Sequence, residues 1–162
     1  MTTSPPPQST LPALPEAELL ICVTCRVLAR PASTDHPAGV DKPEGTGNAE
    51  DETRPGAQLY AALVAKPLPA GLRVRAVECL SNCTRGCTVA LRGGAERWSY
   101  VYGNLDPAEH AEIVLDGAQR YQAAADGLVP WRERSQHFRK NCIARLPPLT
   151  LPPTDPIPVD PA

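Results

Sequence analysis

Five cysteines stand at spacings suited to soft-metal or thiol chemistry. Cys79, Cys83 and Cys87 fall at two successive CxxxC intervals within residues 77–91, VECLSNCTRGCTVAL, and Cys22 and Cys25 form a CxxC pair in ICVTC. Thiolates are soft ligands, and zinc or an iron–sulfur cluster is the usual intracellular reason for gathering four of them. CxxC lets neighbouring turn residues grip one metal. CxxxC returns a thiol to the same side after about one helical turn, which suits a loop wrapped round a larger object. Asn82 and Gly86 tolerate the tight backbone such wrapping needs, and N–H groups of residues 84–86 can donate to sulfur. Read from the residues alone, the set admits an iron–sulfur cluster, structural zinc, thiol redox chemistry at Cys22 and Cys25, or buried cysteines without a chemical role.

Strand ends must deliver these thiols. Leu19, Leu20 and Ile21 predict a first strand that feeds Cys22 and Cys25 into a loop. Residues 56–68, GAQLYAALVAKPL, predict a helix of about three turns with Leu59 and Leu63 on its stripe and Pro67 as its stop. Residues 72–77, LRVRAV, alternate as a strand leading into Cys79. Beyond the cysteine loop, residues 88–92 and 96–102 predict a hairpin about Gly93 and Gly94. Asp106, Pro107 and Glu109 then predict a helix start, with the helix running through Ala111, Val114, Leu115, Ala118 and Tyr121 until Gly127 ends it. A short basic helix is expected in residues 128–149, with Cys142 on it. The order implies a small α/β sandwich with a four-stranded mixed sheet and flanking helices.

Composition sets the bounds. The chain has 162 residues, enough for one core, and its 20 prolines crowd the two ends. We therefore expect a disordered Pro-rich leader over 1–17, one domain over 18–146 and a Pro-rich tail over 147–162. Residues 31–55 read as a flexible insert, rich in Pro, Gly and acid. A net charge of −2 with 4% aromatics gives no support for nucleic-acid or membrane binding. No Lys or Arg precedes Arg26 and no segment approaches a transmembrane span, so the expected compartment is the cytoplasm, where structural disulfides are rare. Cys142, His36, His110 and His137 lack spacing to the cysteine groups and read as packing or surface residues. Trp98, Tyr100 and Tyr102 alternate on one strand face, as a core stripe or a shield for the site. Arg132, Arg134, Arg139, Lys140 and Arg145 form a basic run, either a solvated face or a surface that steers an acidic redox partner.

Four stretches together carry a family resemblance: CVTCR at 22–26, VECLSNCTRGCTVAL at 77–91, WSYVYGNLDP at 98–107 and DGLVPWRER at 126–134. Over about residues 19–149 the chain resembles a bacterial family of predicted metal-binding proteins of unknown function (DUF1636-like), placed in the thioredoxin-like [2Fe-2S] ferredoxin superfamily. Those ferredoxins carry a CLxxCxxGP loop whose two cysteines hold the cluster. Cys79 and Cys83 match them, Gly86 matches the glycine, and Cys87 stands where the proline is. The resemblance implies a thioredoxin-like fold and a [2Fe-2S] electron carrier, with Cys22 and Cys25 as first-loop ligands and Cys87 as an alternative one. A [4Fe-4S] cluster or zinc stays open, as do a zinc-binding module and a thiol oxidoreductase using Cys22 and Cys25. The implied partner is a redox protein, a flavoprotein or a cobalamin-pathway enzyme, and self-association into a homodimer is also open.

Overall fold

A computed structural model of the protein describes residues 16–25 and 54–150. Strand β1, Ala17–Cys22, is buried along nearly its whole length, as its unbroken apolar run requires. Helix α1, Pro55–Val64, starts with proline at its first turn, where the missing N–H costs nothing, and buries Gly56, Leu59 and Leu63. Strand β2, Leu72–Val77, pairs parallel to β1 with Leu19 opposite Val74 and Cys22 opposite Val77. Strands β3, Val89–Arg92, and β4, Ser99–Tyr102, form the expected antiparallel hairpin, and β3 also pairs antiparallel to β1. Helix α2, Ala111–Ala123, packs against α1, β1 and β2.

The sheet order is β2-β1-β3-β4-β5, so the expected four strands are joined by a fifth. The predicted basic helix is only one turn long, α3 at Gln136–Lys140. The chain then enters β5, Cys142–Leu146, antiparallel to β4. Cys142 consequently lies on a strand rather than on a helix. This βαβ unit, hairpin and closing helix form an α/β thioredoxin-like sandwich with a mixed sheet and flanking helices. Of the expected leader and insert only residues 16–17 and 54–55 are described, with Ala17 opening β1 and Pro55 opening α1, and most of the expected tail lies outside the described residues.

The core is one apolar layer between the sheet and the helices. Leu19, Ile21, Leu59, Leu63, Val89, Val114, Ala118 and Tyr121 are all fully buried in it. Tyr100 and Tyr102 join them at 0% and 1% exposure, so the β4 stripe is core packing and not a shield. Arg97 is also buried. Its guanidinium donates to Glu16 O, Tyr121 O and Ala124 O, and thereby receives the carbonyls at the end of α2. Helix α1 is pressed against the end of β1 at Gly56, where an added Cβ would stand 2.1 Å from the Cys22 carbonyl oxygen. A backbone atom cannot rotate away from that overlap, so the first cysteine loop is seated on a position only glycine fills.

Candidate metal centre

Parallel pairing decides where the thiols go. β1 and β2 run together with Cys22 opposite Val77, so the chain leaves both strands at the same end of the sheet. Cys25 follows one exit and Cys79 the other. β3 enters from that end, which brings Cys87 to it two residues before Val89. The carboxyl ends of parallel strands are where α/β folds place their ligand sites.

The inner thiols are Cys22, Cys25 and Cys87, with 3%, 3% and 0% exposure. The Cys22 N–H donates to Thr88 O at 3.1 Å, and the Cys25 N–H donates back to Cys22 O at 3.5 Å. Burial and then the Cys22 contact push the Cys25 thiol up to about 11. Burial, followed by the fields of Cys25, Asp106 and Cys22, pushes Cys87 up to about 12. Cys25 and Cys87 are therefore neutral thiols at pH 7 in the metal-free chain. The Cys22 thiol donates to Glu78 O at 3.5 Å, and the Thr24 hydroxyl donates to the same carbonyl. These two bonds fasten the first loop to the residue just before Cys79.

Cys79 and Cys83 are exposed. The Ser81 N–H donates to Cys79 Sγ at 3.2 Å, and Ser81 reaches this geometry at φ 54°, in the left-handed region. That N–H and then the Ser81 hydroxyl hold the Cys79 thiol below its usual value. The loop is braced from behind: Asn82 Nδ2 donates to Thr88 Oγ1 at 3.0 Å, and Cys87 and Leu105 exchange both backbone bonds at 3.1 and 3.2 Å. Asn104 N–H donates to Arg85 O at 2.6 Å, while Gly103 lies so close that a Cβ there would stand 2.6 Å from the same oxygen.

The five thiols thus reach one end of the sheet as an inner set of three and an outer pair. Among the described residues no three His, Cys, Asp or Glu side chains converge on one metal position. The donor chemistry itself suits a cluster: thiols on two linked loops, with the backbone N–H of Ser81 aimed at the Cys79 sulfur. Sequence reasoning missed Thr24, Ser81 and Thr88. Their only signal was adjacency, each lying within two residues of a cysteine.

The remaining candidates have other partners. Cys142 pairs opposite Tyr102 on the β5 edge, and burial raises its thiol. The His110 and His137 rings lie 4.1 Å apart, tilted by 43°. His110 Nδ1 accepts from Asp106 N–H at 2.8 Å, and His137 Nε2 lies 3.1 Å from Gly103 O. His36 lies outside the described residues. Arg134 is a clamp, donating to Val129 O and to the Tyr100 hydroxyl, and Arg145 covers the Trp98 ring. Arg132 and Lys140 are exposed. Asn141, next to Lys140, bonds Gly103 N–H and the Asn104 side chain, so this basic turn abuts the brace of the cysteine loop. A cavity of about 610 Å³ lies elsewhere, between the β3–β4 turn and Leu149, and no cysteine lines it.

The model for DUF1636, a protein of unknown function, matches residues 19–148. No curated protein matches the chain. Among solved structures, a thioredoxin-like [2Fe-2S] ferredoxin from Aquifex aeolicus is similar at 13% identity and TM-score 0.45, covering 85% of this chain and 98% of that one. A wild-type thioredoxin-like [2Fe-2S] ferredoxin from the same organism, at 1.5 Å resolution, is similar at 16% identity and TM-score 0.38, covering 65% and 87%. Likenesses of this degree say nothing about what this chain binds.

Proposed function

We infer that this chain, which belongs to DUF1636, a family of unknown function, is an iron–sulfur electron carrier. The observation that carries the reading is the arrival of five thiols at one end of the sheet, on loops tied together through the Glu78 carbonyl. Cys79, Cys83, Cys22 and Cys25 would hold a [2Fe-2S] cluster, with Cys87 as the alternative fourth ligand. Such a cluster accepts and gives up one electron at a time. The chain's own part is to supply thiolates, aim the Ser81 N–H at the Cys79 sulfur and keep one side of the site, Cys79 and Cys83, at the surface. Buried thiols pushed up to about 11 and 12 give up their protons only in exchange for a metal, so loading releases protons and is favoured as pH rises. The same burial weighs against a thiol oxidoreductase at Cys22 and Cys25, which needs an accessible thiolate.

Anaerobic purification followed by iron and acid-labile sulfide analysis tests the reading. Both are expected in the protein, whereas one zinc per chain without sulfide would replace it with a zinc-binding module.

The partner in this reading is a redox protein with an acidic face, a flavoprotein or a cobalamin-pathway enzyme, that docks over Cys79 and Cys83. Arg85 is exposed on the loop and Lys140 on the turn beside its brace, Arg132 is exposed on the separate short turn Trp131–Glu133, and Arg134 is held by Tyr100. Reversing Arg132 and Lys140 to Glu is expected to slow electron transfer several-fold at low salt and to change it little above 0.15 M, where screening acts within about 8 Å. Equal rates in stopped-flow experiments at both salts would remove the docking face. Among the described residues no helix is long and apolar enough to cross a membrane.

A further inference from the structure

We propose that Cys79 and Cys83 are a redox-active dithiol that closes to a disulfide in the metal-free protein, while Cys22, Cys25 and Cys87 stay reduced. A CxxC pair after the first strand is the place such chemistry is ordinarily sought, yet here that pair is sealed, with 3% exposure at each cysteine. The exposed pair has what the exchange requires. Cys79 and Cys83 are open to solvent, they stand four residues apart on one loop, and the Ser81 N–H donates to Cys79 Sγ at 3.2 Å. The backbone beyond them is fixed by the Arg85–Asn104 and Cys87–Leu105 bonds, so closure involves only the exposed arc of the loop. The proposal stands whichever metal the site takes.

The oxidant is a small disulfide such as oxidised glutathione. Cys79 sulfur attacks one glutathione sulfur, the S–S bond breaks, and its electron pair leaves on the other glutathione as a thiolate that takes up a proton. Cys83 sulfur then attacks the Cys79 side of the mixed disulfide, loses its proton and expels the second glutathione as a thiol. Two electrons and two protons pass from the Cys79–Cys83 pair to the glutathione disulfide, giving two glutathione thiols.

The test uses the full chain, stripped of metal under reducing conditions, desalted and treated anaerobically with oxidised glutathione. Free thiols are alkylated before and after denaturation with different reagents, and tryptic peptides are weighed. Cys79 and Cys83 share the tryptic peptide AVECLSNCTR, residues 76–85, separate from the peptides that carry Cys22, Cys25 and Cys87. The expected peptide is lighter by two hydrogens, resists both reagents and regains both thiols with dithiothreitol. The other three cysteines should take only the label applied after denaturation. Cys83→Ser should trap Cys79 as a stable glutathione adduct. A Cys22–Cys25 linkage, free thiols at both Cys79 and Cys83, or no adduct in the Cys83→Ser protein would each overturn the proposal.

Discussion

Cys79→Ser and Cys83→Ser proteins, purified without oxygen, are expected to retain less than about a tenth of the parent iron and acid-labile sulfide, since losing a mere supporting partner already costs roughly 10–100-fold. A serine hydroxyl is a hard, neutral donor and does not replace a soft thiolate. Both positions are exposed, so the substitutions leave the core intact and near-parental unfolding curves should accompany the loss. This separates ligation from folding. Cys25→Ser and Cys87→Ser decide the fourth ligand: whichever loses the cluster holds it. Retention of full iron and sulfide in Cys79→Ser would end the ligand assignment.

Phe138→Ala is expected to destabilise the chain by about 3–5 kcal/mol, the usual cost of truncating a fully packed aromatic side chain. Phe138 is 2% exposed and stacks on Tyr102 at 3.8 Å. It also fills the space over Gly117, where even a Cβ would stand 2.2 Å from its ring. α3 is only five residues long and has little stability of its own, so this ring, with the Ser135 cap on Phe138 N–H and the His137 contacts to Gly103 O and His110, holds it in place. Losing the ring loosens α3, then β5 at its bulged pairing with β4, and then the Asn141 contacts behind the cysteine loop. A loss of this size is a large share of the ~5–15 kcal/mol total for a domain. Urea unfolding measures it, and a change below about 1 kcal/mol would contradict the packing account.

Which elements were legible from sequence follows from their burial. β1, the hairpin and α1 announce themselves because each buries an apolar run or stripe, whereas β2, an edge strand that buries only Leu72, shows through the alternation of Leu72 and Val74 with Arg73 and Arg75. β5 does not: its residues CIARL are half or fully exposed at the edge of the sheet, so no apolar alternation marks them and the basic neighbours suggest a helix. Asp106 misled for a different reason. DPAE has the form of a helix start, and Asp106 Oδ1 does accept from Ala108 and Glu109 N–H, but it closes a separate turn and α2 begins only at Ala111. Arg134 reads as surface charge, and nothing in the sequence singles out Arg97. They are anchors instead, because carbonyls at the end of α2 and the Tyr100 hydroxyl supply partners that only the fold brings near. At the site, cysteine spacing was enough to name the five thiols and to place them at strand ends. Their division into an inner three and an outer two depends on which loop α1 and Thr88 cover, and spacing carries no trace of that.

The most direct measurement of the central claim is electron paramagnetic resonance during anaerobic titration of the purified protein with dithionite. The account predicts a paramagnetic signal that grows to completion with one electron per chain, disappears on reoxidation and is absent from the Cys79→Ser protein. A protein that stays silent throughout, or takes up two electrons with no paramagnetic species, would contradict it.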